Sequence, residues 1–396
     1  MNFIDLLSIE VQEFINSKVD TPISNLALQK NPFQSVDFKI IVSQIESKSK
    51  SKLKLPTWFL AKNIIYPPKI SIEQSSSEIT AKYKSTLVSG QSLIDITGGF
   101  GVDCYYFSKK IESVFHCERN IDLSELVKHN FEILKIKNIS CLKGDSYEIL
   151  SDLNLNFDWI YIDPSRRNDS NLKVFLLSDC EPNVPDLLAF YYKFSKNILI
   201  KTAPILDITA GILQLKNVKK IHIVAVNNEV KEVLWQLEAG FEKEIEIKTI
   251  NFSKNQEEFS FLLNSKSNCD YDLPKKYLYE PNAAIMKSGG FDKLGFQFKI
   301  SKLHQHSHLY TSDEIISFPG RVFQVETCFF YNKSTMKQQL ENSKSNVSAR
   351  NFPDSVAQIR KKWNIKDGGN QYSFFTTDKN EAKIVLLCKK ITSSNA

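Results

Sequence analysis

The stretch Ser92-Leu93-Ile94-Asp95-Ile96-Thr97-Gly98-Gly99-Phe100-Gly101-Val102-Asp103 decides the fold. A short apolar run ends in an acid, and a glycine-rich turn follows at once. Glycine lets the backbone turn tightly and approach a ligand with no Cβ in the way. Residues 113–117, 139–143, 158–162 and 198–201 read as further buried strands, and 220–226 continues the series. Between the second and third strands, Leu123, Leu126, Val127, Phe131 and Leu134 line one helical face. Strands alternating with helices imply crossovers and a parallel α/β sheet covered on both sides. Residues 244–252 and 259–263 flank a polar turn and read as an antiparallel pair closing the sheet.

Four successive strands end in an acid: Asp95, Glu118, Asp145 and Asp163. Open parallel sheets bind ligands beyond the carboxyl ends of their strands. A dinucleotide fingerprint counted from Gly99 and Gly101 needs a third glycine where Cys104 stands. A pyrophosphate beside Asp95 would also set like charges together, at about 4 kcal/mol per pair at 4 Å. A ligand with a sulfonium, an ammonium and a neutral adenosine has the opposite preference, and S-adenosylmethionine is such a molecule. On this reading Thr97, Gly98, Gly99 and Gly101 shape the loop around the methionyl end and Asp95 attracts its cationic groups. Glu118 accepts from the ribose hydroxyls and Asp145 from the adenine amino group. Any one of these acids could equally be a helix cap.

The fourth tip is Asp163-Pro164-Ser165-Arg166-Arg167. Methyl transfer needs a nucleophile held in line, and a rigid turn does this. Proline fixes φ, and the Asp163 carboxylate can accept from a base N–H. Asp163, Pro164, Ser165 and Arg166 are therefore the candidate catalytic turn, with Asp163 also bordering the cofactor. Arg166 and Arg167 can grip substrate phosphates. No cysteine lies in or beside this turn in the sequence. Spacing alone does not exclude Cys180 or Cys328, but nothing marks either as activated. N-methylation, with ribose 2′-O methylation as the lesser option, is therefore preferred to C5 methylation of a pyrimidine, which needs a thiolate adduct.

The chain has 396 residues, 42% hydrophobic and 24% charged, enough for two or three domains with a sizeable core. No apolar run reaches the roughly 18 residues that span a bilayer, and no secretion signal opens the chain. Seven scattered cysteines without a CxxC fit a reducing cytoplasm rather than a disulfide or zinc framework. The net charge is +6, and the basic excess lies beyond residue 275. There Arg350, Arg360, Lys361 and Lys362 surround a helix at about 354–363, a pattern suited to an RNA backbone. A solvated helix face is the plainer alternative. His304, His306 and His308 would share one face of a strand, and a solvated or RNA-facing row is favoured over a metal site. Lys201 and Asp207 border Pro204 and fit either the crevice or a helix cap. Glu229, Lys231 and Glu232 suit pairing along a helix.

The set Glu73 to Glu78, Thr80 to Lys84, Asp95 to Asp103 and Asp163 to Arg167 resembles a bacterial family of class I S-adenosylmethionine-dependent methyltransferases with a C-terminal THUMP-like domain. Tyr279-Glu280-Pro281-Asn282, Phe318-Pro319-Gly320-Arg321, Arg350-Asn351-Phe352-Pro353 and Gly368-Gly369 extend the resemblance through the tail. It implies a Rossmann-like methyltransferase sheet and, through the THUMP relation, an RNA substrate, tRNA or rRNA. Asp163 to Arg166 also resembles the D-P-P-R turn of some RNA base methyltransferases, and Ser165 departs from it at the second proline. The expected division is an N-terminal helical region at 1–85, the methyltransferase core at 86–270, a small ferredoxin-like or linking α+β segment at 271–325, and a THUMP-like RNA-binding domain at 326–396. The rival readings are an RNA-binding protein with a vestigial sheet and a nucleotide-cofactor oxidoreductase.

Overall fold

A computed structural model describes residues 5–166 and 176–391. The chain forms two compact units, one of residues 1–219 with 234–242, the other of residues 220–233 with 243–396. No described helix is long and apolar enough to cross a membrane.

The first unit opens with helices. The longest, Phe38–Lys54, is capped by Asp37, whose carboxylate accepts from Lys39 N–H. It runs straight through the polar 47–54 stretch, although sequence pattern alone would end it at about 46. The reason is that its buried face is polar and satisfied. Ser47 donates to the Pro67 carbonyl at 2.8 Å, Lys48 to Asn16 Oδ1 at 2.6 Å, and Gln44 exchanges two bonds with Tyr66. The helix Glu78–Ser85 is N-capped by Ser77, whose side chain accepts from Thr80 N–H.

Strands β1 (Ser92–Asp95), β2 (Ser113–Glu118), β3 (Ile139–Lys143) and β4 (Trp159–Ile162) follow. The two-residue strands β5 (Ser165–Arg166) and β6 (Cys180–Glu181) pair with each other, and β7 (Asn197–Thr202) returns to the main sheet. The pairs β1–β2, β1–β4, β2–β3 and β4–β7 are all parallel. Leu93, Ile94, Ile160, Ile162, Ile198, Leu199 and Ile200 are fully buried, so each central strand is a continuous apolar run covered on both faces. The order β3-β2-β1-β4-β7 puts β1 in the middle, and its tip meets those of β2 and β4. Helix Ile121–Ile133 is fixed from the N-terminal region by Asn130, which accepts from Ile65 N–H at 2.9 Å and donates to the Ile65 carbonyl at 2.7 Å.

In the second unit, residues 220–226 of β8 (Val218–Val226) turn into residues 229–233 of β9 (Glu229–Glu238), while β10 (Glu246–Phe252) runs parallel to β8 and antiparallel to β11 (Gln256–Leu262). The expected closing pair is thus present. Glu229, Lys231 and Glu232 lie on a strand, not a helix. Val233, Leu234, Trp235 and Leu237 are buried, and period two puts Glu229 and Lys231 on one side, paired at 2.6 Å.

A seven-stranded sheet completes this unit. Its strands are β12 (Tyr277–Pro281), β13 (Ser301–Lys302), β14 (Tyr310–Ser312), β15 (Gly320–Phe330), β16 (Asn346–Arg350), β17 (Gln371–Thr377) and β18 (Lys383–Lys390), in the order β13-β14-β12-β15-β18-β17-β16. The helix Val356–Trp363 is opened by a capping box of Ser355 and Gln358. Helices Ala283–Ser288, Phe291–Phe298 and Lys333–Gln339, and the eleven-residue span of β15, were not read from the sequence.

Asn130→Ala is expected to cost about 1–3 kcal/mol of unfolding free energy, because it leaves the buried Ile65 amide and carbonyl unpaired. Denaturant unfolding at constant m-value measures it.

Candidate functional site

The strand tips of the first unit form one hydrogen-bonded rim. Asp95 ends β1 and is 1% exposed. Its Oδ1 accepts from Thr97 N–H at 2.9 Å and from the Thr97 hydroxyl at 3.1 Å. Its Oδ2 accepts from the Cys104 thiol at 3.3 Å. Asp95, expected to attract the donor's cationic groups, turns its carboxylate inward and holds the loop. Burial raises its pKa to about 7 in spite of those three donors. Burial, with Asp95 second, also pushes the Cys104 thiol far up, so that residue is a proton donor here.

Thr97 does a second job. Its Oγ accepts from Asp163 N–H at 2.7 Å, so one hydroxyl joins the β1 tip to the β4 tip. Gly98 has no room for a side chain, since a Cβ would strike the His116 ring. Gly101 takes φ 76°, and a Cβ there would lie 2.6 Å from the Phe131 ring. Gly99, at φ 54°, differs: an added Cβ would meet nothing nearer than the Thr97 carbonyl at 3.7 Å. The loop's open side is at Gly99. Its N–H donates to Glu118 Oε2 at 2.9 Å, and Glu118 Oε1 accepts from Asn120 N–H at 2.7 Å. Asp145 is exposed and caps helix Ser146–Leu153 by accepting from Tyr147 N–H at 2.8 Å. The Gly144 amide before it bonds the Glu118 carbonyl at 3.1 Å, which sets Asp145 beside the β2 tip.

At the fourth tip, Asp163 Oδ2 accepts from Lys201 Nζ at 2.6 Å. Burial raises the Asp163 pKa and Lys201 pulls it back, with a net rise. Lys201 thus joins the rim, while Asp207 caps helix Ile208–Gln214. Ser165 is exposed on β5, where its hydroxyl donates to the Glu181 carbonyl at 3.4 Å. Arg166 is described by its backbone in β5, and Arg167 lies outside the described residues.

Sequence reasoning missed the support under the loop. Lys84, fully buried, is 3.1 Å from Asp103 Oδ1 and donates to Ser76 Oγ at 2.7 Å. Ser76 Oγ and Tyr161 OH each donate to Asp103 Oδ2, at 2.8 and 2.9 Å. The available signal was helical spacing: Thr80, Ala81, Lys84 and Ser85 share the buried face of Glu78–Ser85.

In the second unit the candidate RNA residues are mostly paired. Arg350 donates to Glu280 at 3.2 Å, Arg360 to Asp367, and Lys362 to Tyr331 OH at 3.0 Å, while Lys361 is exposed. The three histidines lie in a turn, not on a strand. His304 is buried against Glu381 at 2.8 Å, His306 is exposed, and His308 stacks on Phe291 with centroids 3.5 Å apart. They do not form one row because His308 takes φ 52°.

A raised carboxyl pKa has a fixed sign. Below about pH 4 the Asp95 carboxyl is protonated both folded and unfolded. Between about pH 4 and 7 the unfolded chain alone loses the proton, so stability falls across that window. Asp95→Asn, measured by melting between pH 4 and 8, is expected to flatten this decline.

Family models match the tail in two adjoining pieces, a ferredoxin-like domain at residues 277–319 and a THUMP domain-like segment at 320–390. An uncharacterized RNA methyltransferase of Mycoplasma mobile is 32% identical over 77 residues. That match spans 19% of this chain and only 21% of that protein. The crystal structure of a "putative methyltransferase" from Porphyromonas gingivalis W83 is 30% identical, covers 99% of this chain and 100% of its own, and superposes with a TM-score of 0.88. With agreement over both whole chains and a THUMP-like segment at the end, the protein belongs to a methyltransferase family that carries a C-terminal THUMP-like domain.

Proposed function

We propose that the chain methylates a base nitrogen in structured RNA, tRNA or rRNA, with S-adenosylmethionine as donor, in a reducing cytoplasm. The observation that carries this reading is the coupling of the Gly99 loop to Asp163 through the Thr97 hydroxyl. It makes the loop suited to a methyl donor and the turn suited to an acceptor one hydrogen-bonded piece.

The residues suit the donor on two counts. The outer face at Gly99 is open, and the acids around it would repel a pyrophosphate. Gly99 and Gly101 would border the methionyl end, Glu118 the ribose hydroxyls and Asp145 the adenine. When bound, S-adenosylmethionine supplies an electrophilic methyl group. The chain's own part is to place and relieve the nucleophile. Asp163 Oδ1 accepts a base N–H and so orients the nitrogen, while Lys201 anchors Oδ2 and favours the ionised carboxylate against burial. Pro164 fixes the turn, and Ser165 with Arg166 borders the base. In this reading 1–85 supports the core, 86–270 does the chemistry, 271–325 connects, and 326–396 captures RNA.

Methyl incorporation from labelled S-adenosylmethionine into total RNA of a strain lacking the protein, followed by nucleoside mass spectrometry, tests the whole proposal. Absence of any methylated nucleoside would refute it. Asp163→Asn is expected to lower the transfer rate about 100-fold or more while donor binding persists. Saturating S-adenosylmethionine, at 100 times its dissociation constant, should stabilise the fold by roughly 2.7 kcal/mol, and nicotinamide dinucleotides should not. The rate should climb with pH as Asp163 ionises, above the ordinary aspartate range near 3.9. Lys201→Met removes the cation that holds that pKa down, so the acid limb of the pH–rate profile should move to higher pH.

A further inference from the structure

The second unit holds a carboxylate with more cation than it needs. Glu280 on β12 is 3% exposed and lies directly opposite Arg321 on β15. Arg321 donates to Oε2 from Nε at 2.7 Å and from Nη2. Arg350, at the end of β16, donates to Oε1 at 3.2 Å, and the Ser348 hydroxyl approaches the same oxygen at 3.5 Å. One arginine neutralises one buried carboxylate. The second leaves a net positive charge and sets two guanidinium groups against each other.

Both arginines also reach solvent, with side chains 40% and 36% exposed. A guanidinium has five N–H donors, and most of these ten are not used on Glu280. Arg321 is further fixed above the Phe323 ring, 5.5 Å from its centroid. The forks are therefore held from below with donors to spare. Planar, pre-positioned forks suit the oxygens of a phosphate. The neighbourhood is cationic as well: burial first, then Lys302, Arg350 and His306, hold the His308 imidazole down to about 4.

We propose that Arg321 and Arg350, held by Glu280, form a clamp for one phosphate of the RNA substrate. This rests on the RNA reading above. The carboxylate comes from the ferredoxin-like segment and both arginines from the THUMP-like one, so the clamp exists only when the two fold together. The phosphate is either a terminal monoester or an internal diester of the strand.

Fluorescence anisotropy on the full chain tests the clamp, with a 5′-phosphorylated RNA hairpin and its 5′-hydroxyl twin at 50–200 mM salt. Arg321→Gln and Arg350→Gln, shown to be folded by circular dichroism, are each expected to weaken binding about fivefold or more. The plot of log affinity against log salt should become shallower by about 0.7–0.9, the loss of one phosphate contact. Arg350→Lys should keep the slope and lose affinity, because a point charge replaces a fork. Loss confined to the phosphorylated hairpin assigns the monoester, and equal loss on both assigns the diester. Folded variants with parental affinity and slope overturn the clamp. On the unaltered chain, the hairpin should protect Arg321 and Arg350 from phenylglyoxal, read by peptide mass spectrometry; equal labelling with and without RNA also counts against it. A chain that binds RNA through these arginines but transfers no methyl group leaves the clamp standing and removes the methylation reading. Methylation with unaltered binding in the variants does the reverse.

Discussion

The rim depends on the Thr97 hydroxyl. It donates to Asp95 and accepts from Asp163 N–H, so its one hydrogen and one of its lone pairs are committed to two strands. Asp95, almost wholly buried, cannot do without such donors, since an unsatisfied buried polar group costs about 1–3 kcal/mol. The loop is therefore fixed by necessity more than by preference. Thr97 must turn back to satisfy Asp95, and that turn starts the tight Gly98–Gly101 path. Gly98 and Gly101 are then squeezed by His116 and Phe131, and only Gly99 remains on the open side. Beneath it, the Lys84–Asp103 pair with Ser76 and Tyr161 ties the helix before β1 to the helix after it and to β4.

The strands of this sheet were legible because a strand covered on both faces must be apolar throughout, and a polar residue then marks its end. That logic located Asp95, Glu118, Asp145 and Asp163 correctly at the tips. It could not say which way each carboxylate turns. Asp95 turns in because Thr97 and Cys104 offer donors there, and Asp145 caps a helix because Tyr147 N–H lies within reach. Both outcomes depend on atoms two to nine residues away whose placement the local pattern does not encode. The helix expected at Glu229–Glu232 shows the converse fault. Charges at short spacing suit a helix, but the apolar residues that follow have the continuity of a buried strand, and burial decided.

Buried polar residues were the least legible feature. Ser47, Lys48 and Lys84 look solvated in sequence, and each lies inside because a partner from another segment of the chain receives it. Glu280 is the same case in the second unit. Its arginines stand 41 and 70 residues away, on strands that the Gly- and Pro-punctuated tail did not announce. Arg350 was legible as a cation of the basic tail, but not as half of a pair.

The Asp163–Lys201 contact sets opposing demands on one carboxylate. Burial favours the neutral acid, which can donate a hydrogen bond but accepts poorly, whereas the ammonium at 2.6 Å favours the anion. In the proposed reaction the anion is the useful form, because a base N–H needs an acceptor and the attacking nitrogen becomes more acidic as it forms its new bond. A fully exposed aspartate would already be ionised, yet water would compete for the N–H and the carboxylate would be a weak base. A buried aspartate without Lys201 would hold its own proton and repel the donor. The pair occupies the middle ground: half-buried, which raises proton affinity, beside an ammonium that favours the acceptor form. Lys201 compensates at Oδ2, and the proposed reaction assigns the base N–H to the other oxygen.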